Sequence, residues 1–145
     1  MKFSIQILLI NLFILQGLFA QKVTKKDFDI LMTITMHSVD KTTNAIFFTN
    51  SSYSVQEFQN GQNNGSTSST LSPTDFRSLE KLIKASRPII LRDKYSCNGK
   101  TIDKQNAIIY QFAKSKKTVM ADNACKTTKK LGELTIFVKN VLERD

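Results

Sequence analysis

The clearest periodicity in the chain lies at residues 28–36, where Phe28, Ile30, Met32, Ile34 and Met36 alternate with Asp29, Leu31, Thr33 and Thr35. A period of two places successive side chains on opposite faces of an extended chain, so this segment predicts a half-buried strand. The polar stretch from Asp40 to Asn44 reads as a turn, and Ala45 to Thr49 resumes the apolar pattern. Beyond Asn50-Ser51-Ser52, Tyr53 and Val55 alternate with Ser54 and Gln56. Residues 45–58 are therefore expected to form a second strand, bulged or broken near Asn50.

The tract that follows, residues 59–70, contains only Gln, Asn, Gly, Ser and Thr. It has no apolar area to bury against the entropy cost of ordering, so its composition predicts a flexible surface loop. A helix start follows. Ser72 suits the N-cap, Pro73 the first helical position, and Asp75 the positive field of the first turn. Leu71 and Phe76 stand where a hydrophobic staple would place them. Phe76, Leu79, Leu82 and Ile83 recur at helical spacing, and Pro88 ends the helix at or before Arg87.

Ile89-Ile90-Leu91 is a short apolar segment, read as a strand or a core plug. Arg92 to Gln105 is polar and holds the turn signal Asn98-Gly99. Ala107 to Ala113 is nearly continuous apolar sequence and predicts a central strand. Lys114 to Lys117 makes a turn, and Thr118 to Ala121 returns. Thr127 or Thr128 caps a last helix with an apolar stripe of Leu131, Leu134, Val138 and Val141, widened by Phe137 and Leu142. Gly132 weakens its first turn by about 1 kcal/mol relative to Ala. The order β-β-α-(β)-β-β-α implies an α+β domain: an antiparallel sheet of four to five strands with two helices on one face.

Ahead of the first strand, Lys2 precedes an apolar run from Ile5 to Phe19 that ends at Ala20. A basic start, an apolar segment and a small residue before polar chain are the layout of a secretory signal peptide, so cleavage is expected near Ala20. The run is interrupted by Gln6, Asn11 and Gln16 and is shorter than the ~20 apolar residues a membrane span needs, which argues against an anchor. Residues 21–145 then form a single small domain, exported to the periplasm or beyond, and a chain of that size buries roughly two-thirds of its unfolded surface. An exported chain meets an oxidising compartment, so Cys97 and Cys125 are expected to form a disulfide.

The chemistry-bearing residues are few. There is no His-Glu-x-x-His, no Cys-x-x-Cys, no nucleophile elbow, no Gly-rich phosphate loop and no dinucleotide fingerprint. No cofactor or metal is implied, and the lone His37 lies far in sequence from both cysteines. Asp27, Asp29 and His37 share one strand face, but eight extended residues put roughly 26 Å between Asp29 and His37, too far for joint action. Two Asn-x-Ser sequons, at Asn50 and Asn64, are what an Asn-, Ser- and Thr-rich chain matches by chance.

Charge is more informative. The chain has 21 Lys and Arg against 12 Asp and Glu, a formal net charge of +9, and the leader accounts for one of these positive charges. Lysines cluster at Lys25-Lys26, at the turn Lys114, Lys116 and Lys117, and around the last helix start at Lys126, Lys129 and Lys130. Such a surface attracts nucleic acid, anionic lipid or acidic protein, although no aromatic residues interleave it as they do in single-strand nucleic-acid binders. The succession of hairpins and helices is similar in outline to small protease- and lysozyme-inhibitor folds, a likeness of layout alone. The expected function is a small exported protein-binding or inhibitory module, non-catalytic, engaging another protein through loops and an exposed sheet edge. The alternative is an anion- or envelope-surface-binding protein using the basic hairpin tip.

Overall fold

A computed structural model describes residues 29–97 and 101–144. Strands β1 (Ile30–His37), β2 (Lys41–Phe48), β3 (Ser52–Gln59) and β4 (Gln62–Thr70) lead into helix α1 (Pro73–Ser86). A single 3-10 turn (Pro88–Ile90) and the two-residue β5 (Lys94–Tyr95) follow. Then come a second 3-10 turn (Lys104–Asn106), β6 (Ala107–Phe112), β7 (Lys117–Asp122) and helix α2 (Lys129–Leu142).

The protein is α+β, as its pattern implies, but the sheet is larger than expected and is mixed. Among the described residues, seven strands lie in the order β4-β3-β2-β1-β6-β7-β5. Every neighbouring pair is antiparallel except β5 with β7, which is parallel.

Three local readings account for the added strands. Asp40–Asn44 is not all turn: from Lys41 the chain is already in β2, and Asn44 accepts a hydrogen bond from the Thr35 hydroxyl on the neighbouring strand (3.1 Å). Residues 45–58 are two strands, separated by a turn in which Ser51 takes φ 67°. The tract 59–70, expected as a loop, is mostly β4. Asn60 and Gly61 both have positive φ (51° and 78°), and Gln59 pairs with Gln62. That is a two-residue type I′ hairpin, for which Asn-Gly is the favoured dipeptide. Pairing with β3 engages the polar strand's backbone, so it forms without burying any side chain.

The other corrections lie between the helices. Ile89-Ile90-Leu91 is not a strand, and only Leu91 of the three enters the core. Arg87 ends α1 in the left-handed region, and the 3-10 turn buries Leu91 while Ile89 and Ile90 are 80% and 72% exposed. The short β5 forms at Lys94–Tyr95, in a stretch with no strand pattern.

Register sorts the sheet into two faces. Met32, Ile34, Ala45, Phe47, Tyr53, Tyr110, Phe112, Val119 and Ala121 share the buried face. They form one core with Leu79 of α1 and with Leu131, Leu134, Val138 and Val141 of α2. Each fully buried Leu or Val contributes about 1.5–3 kcal/mol relative to exposure. Both caps match their sequence signals. The Asp75 N–H donates to Ser72 Oγ (3.1 Å) and the Leu131 N–H to Thr128 Oγ1 (3.3 Å). Cys97 and Cys125 are joined, with Cα atoms 5.3 Å apart. None of the described helices is long and apolar enough to cross a membrane. The disulfide is compatible with an exported protein.

Candidate functional site: a sheet edge beside an open cleft

The two edges of the sheet differ. At one, β5 offers only two residues, one of them Lys94, and a short charged edge is how folded proteins discourage unwanted pairing. At the other, β4 runs for nine residues, all exposed, and among the described residues it pairs with β3 alone. Register shifts once near the hairpin, where Glu57 pairs with Gly65 and Phe58 with Asn63, leaving Asn64 as an extra residue. Gly65 takes φ +152°, a backbone conformation that favours glycine, and its N–H donates to Asn63 Oδ1 (3.0 Å). From Ser66 to Thr70 the ladder is unbroken.

No Asp, Glu, Lys or Arg occurs from Phe58 to Thr74, although 23% of the chain is charged. Charges and prolines are the usual protection of an edge strand, and β4 has neither. Ser66, Ser68 and Thr70 project to the face away from the helices, and Thr67 and Ser69 to the helix side, as their partners on β3 show.

Beside this edge, on the helix side, lies an open cleft of about 790 Å³ between the sheet and the end of α2. Met36, Thr43 and Val55 form its floor, and Lys139, Leu142 and Glu143 its helical wall. Lys41 and Glu57, diagonal neighbours on β2 and β3, form an ion pair within it. His37 also lines the cleft, with its Nδ1 hydrogen-bonded to Thr42 Oγ1 (3.0 Å). Among the described residues no hydrogen bond or ion pair joins His37 to a carboxylate. Asp29 sits at the far end of β1 from His37, and Asp27 lies outside the described residues.

The lysines fall at separate places. Lys114 and Lys116 occupy the β6–β7 turn, and Lys117 opens β7, where it pairs with Asp93. Lys126 precedes α2, while Lys129 and Lys130 form its first turn, with Lys130 paired to Glu133 (2.8 Å). These pairings hold the Asp93 and Glu133 carboxyls below their ordinary pKa, chiefly through the lysine hydrogen bond in each case. Lys25 and Lys26 lie outside the described residues. Both sequon asparagines are exposed, and Asn50 Oδ1 accepts from the Ser52 N–H and hydroxyl. Donor atoms of Cys97, Cys125 and Asp122 lie within 4.8 Å of one another, but the two sulfurs are bonded to each other and present no thiolate pair.

The edge is the feature that composition concealed. Its one local signal is Asn60-Gly61, which marks a hairpin and so requires a strand on each side. Comparisons with protein-family models, curated proteins and solved structures give no match.

Proposed function

We propose that this chain is a small exported, non-catalytic module, protein-binding or inhibitory, whose partner contributes an extended segment along the free edge of β4. The observation that carries the reading is that edge: nine exposed, uncharged residues, unbroken in register from Ser66 to Thr70. In strand addition the main chain supplies hydrogen bonds, and alternate side chains read the surfaces on either side of the sheet. The cleft beside Gly65 and Thr67 offers helix-side side chains both the apolar Met36, Val55 and Leu142 and the charged Lys41, Glu57 and Lys139 to contact. Processing of the leader near Ala20 belongs to the same reading.

The test is a pull-down with the oxidised exported chain and with its Ser66→Lys/Ser68→Lys variant, at low and moderate salt. A protein retained at moderate salt by the natural chain and lost from the variant supports edge pairing. Equal retention by both moves the contact off the edge. Capture of nucleic acid or anionic vesicles alone, lost as salt rises, assigns the function to Lys114, Lys116, Lys117, Lys126, Lys129 and Lys130 instead.

A further inference from the structure

We infer that in the free protein the edge of β4 is covered by β4 of a second copy, related by a two-fold axis, so that the two sheets run on as one. The inference rests on the reading of β4 as a strand-accepting edge and names its occupant in the absence of any target.

Three observations carry it. The first is charge. In an antiparallel self-pair each side chain lies opposite or diagonal to a copy of the same strand, so any charge on the strand meets its own sign. A strand of Gln, Asn, Gly, Ser and Thr escapes this, and β4 contains nothing else. Just behind the edge, Glu57 is neutralised by Lys41, so no net charge is presented there either.

The second is side-chain chemistry. Ser66, Ser68 and Thr70 on one face and Thr67 and Ser69 on the other give two rows of hydroxyls on each copy. Cross-strand Ser and Thr pairs hydrogen-bond favourably, and the same groups that neither attract nor repel an ion match one another.

The third is closure. A sheet with two open edges propagates into a filament. Here the opposite edge ends in the two-residue β5 with Lys94, so only one edge pairs and association stops at two. One strand pair is a small contact by the standard of stable interfaces, so the dimer is expected to be weak and concentration-dependent. A target strand then displaces the second copy.

The test is mass by light scattering of the oxidised exported chain, from about 1 μM to about 1 mM, a range that spans weak interfaces. It is read together with amide hydrogen exchange of Ser66–Thr70. The expected result is a mass rising from one chain to two and no further, with β4 amides slowing over the same range. Ser66→Lys/Ser68→Lys should weaken the association roughly tenfold or more while leaving the urea midpoint unchanged, because like charges then face one another on exposed positions. A monomer throughout the range, a dimer indifferent to the lysines, or a mass growing beyond two each overturns the inference. A monomer whose β4 amides slow only with a captured partner overturns self-pairing and leaves the strand-accepting edge standing. Partner capture unaffected by the lysines overturns the edge itself.

Discussion

Tyr110 shows how one side chain ties sheet to helix. It is almost fully buried on β6, its ring stacks against Phe112 (centroids 6.4 Å apart), and its hydroxyl is hydrogen-bonded to Thr135 of α2. The Thr135 hydroxyl also donates to the Leu131 carbonyl (2.9 Å), so the polar pair is satisfied inside the core. Burial raises the Tyr110 pKa, against a smaller opposing effect of the Thr135 hydrogen bond. The folded state thus favours the neutral phenol. That stability is fully present below the ordinary tyrosine value and is lost as pH rises through it towards the raised folded value. Urea midpoints measured upwards from pH 7 should fall above about pH 10. Tyr110→Phe should flatten the fall and cost about 1 kcal/mol at neutral pH. Asp93 and Glu133 act in the opposite sense. Their depressed pKa values favour folding above the ordinary carboxylate range and are lost as pH falls through the folded values, with salt screening both exposed pairs. Tyr110 and the stripe of α2 are recognisable as core from spacing alone. Thr135 is not, because a hydroxyl on a buried helical position signals nothing until its partner on another element is known.

Elements with their own apolar face are legible, and elements that borrow stability from a neighbour are not. β1 and both helices carry periodic apolar residues, so each announces which side it buries, and the nearly continuous apolar run of β6 announces a central strand. β4 has no apolar residue, and its stability comes from the ladder with β3. Only the turn residues Asn60 and Gly61 mark it, and a composition argument over the whole tract outweighs two residues within it. The reverse error occurs at Ile89-Ile90-Leu91, where apolar composition suggests burial but the left-handed Arg87 and the 3-10 turn after Pro88 swing two isoleucines into solvent. The consequence is measurable. Ile89→Ser and Ile90→Ser should change the urea midpoint little, within about 0.5 kcal/mol as for other exposed positions. Leu91→Ala one residue later should cost about 2–5 kcal/mol through the cavity it leaves. Ile89 and Ile90 behaving like Leu91 would contradict the placement of this turn.

At the scale of the whole molecule, the disulfide joins the segment after β5 to the segment before α2, closing a sequence separation of 28 residues. In the chain-entropy description a closure of this length stabilises the fold by about 3.5 kcal/mol, so Cys97→Ser/Cys125→Ser should lower stability by that order. The same measurement under reducing conditions should give a matching loss for the natural chain and none for the double variant. The loss should fall on the β5–β7 side of the sheet. Hydrogen exchange should therefore rise there before it rises in β1–β3, which other contacts hold. The sequence by itself determined the class of the fold, both helices with their caps, the two strands with strong apolar patterns and the cysteine pair. Each of these depends on spacing within a short segment or on the small number of cysteines available. Tertiary structure alone decided the strand order, the parallel β5 and the contrast between a blunt edge and an open one. An edge is defined by the absence of a neighbour, and no residue in the strand encodes which neighbours the rest of the chain will supply.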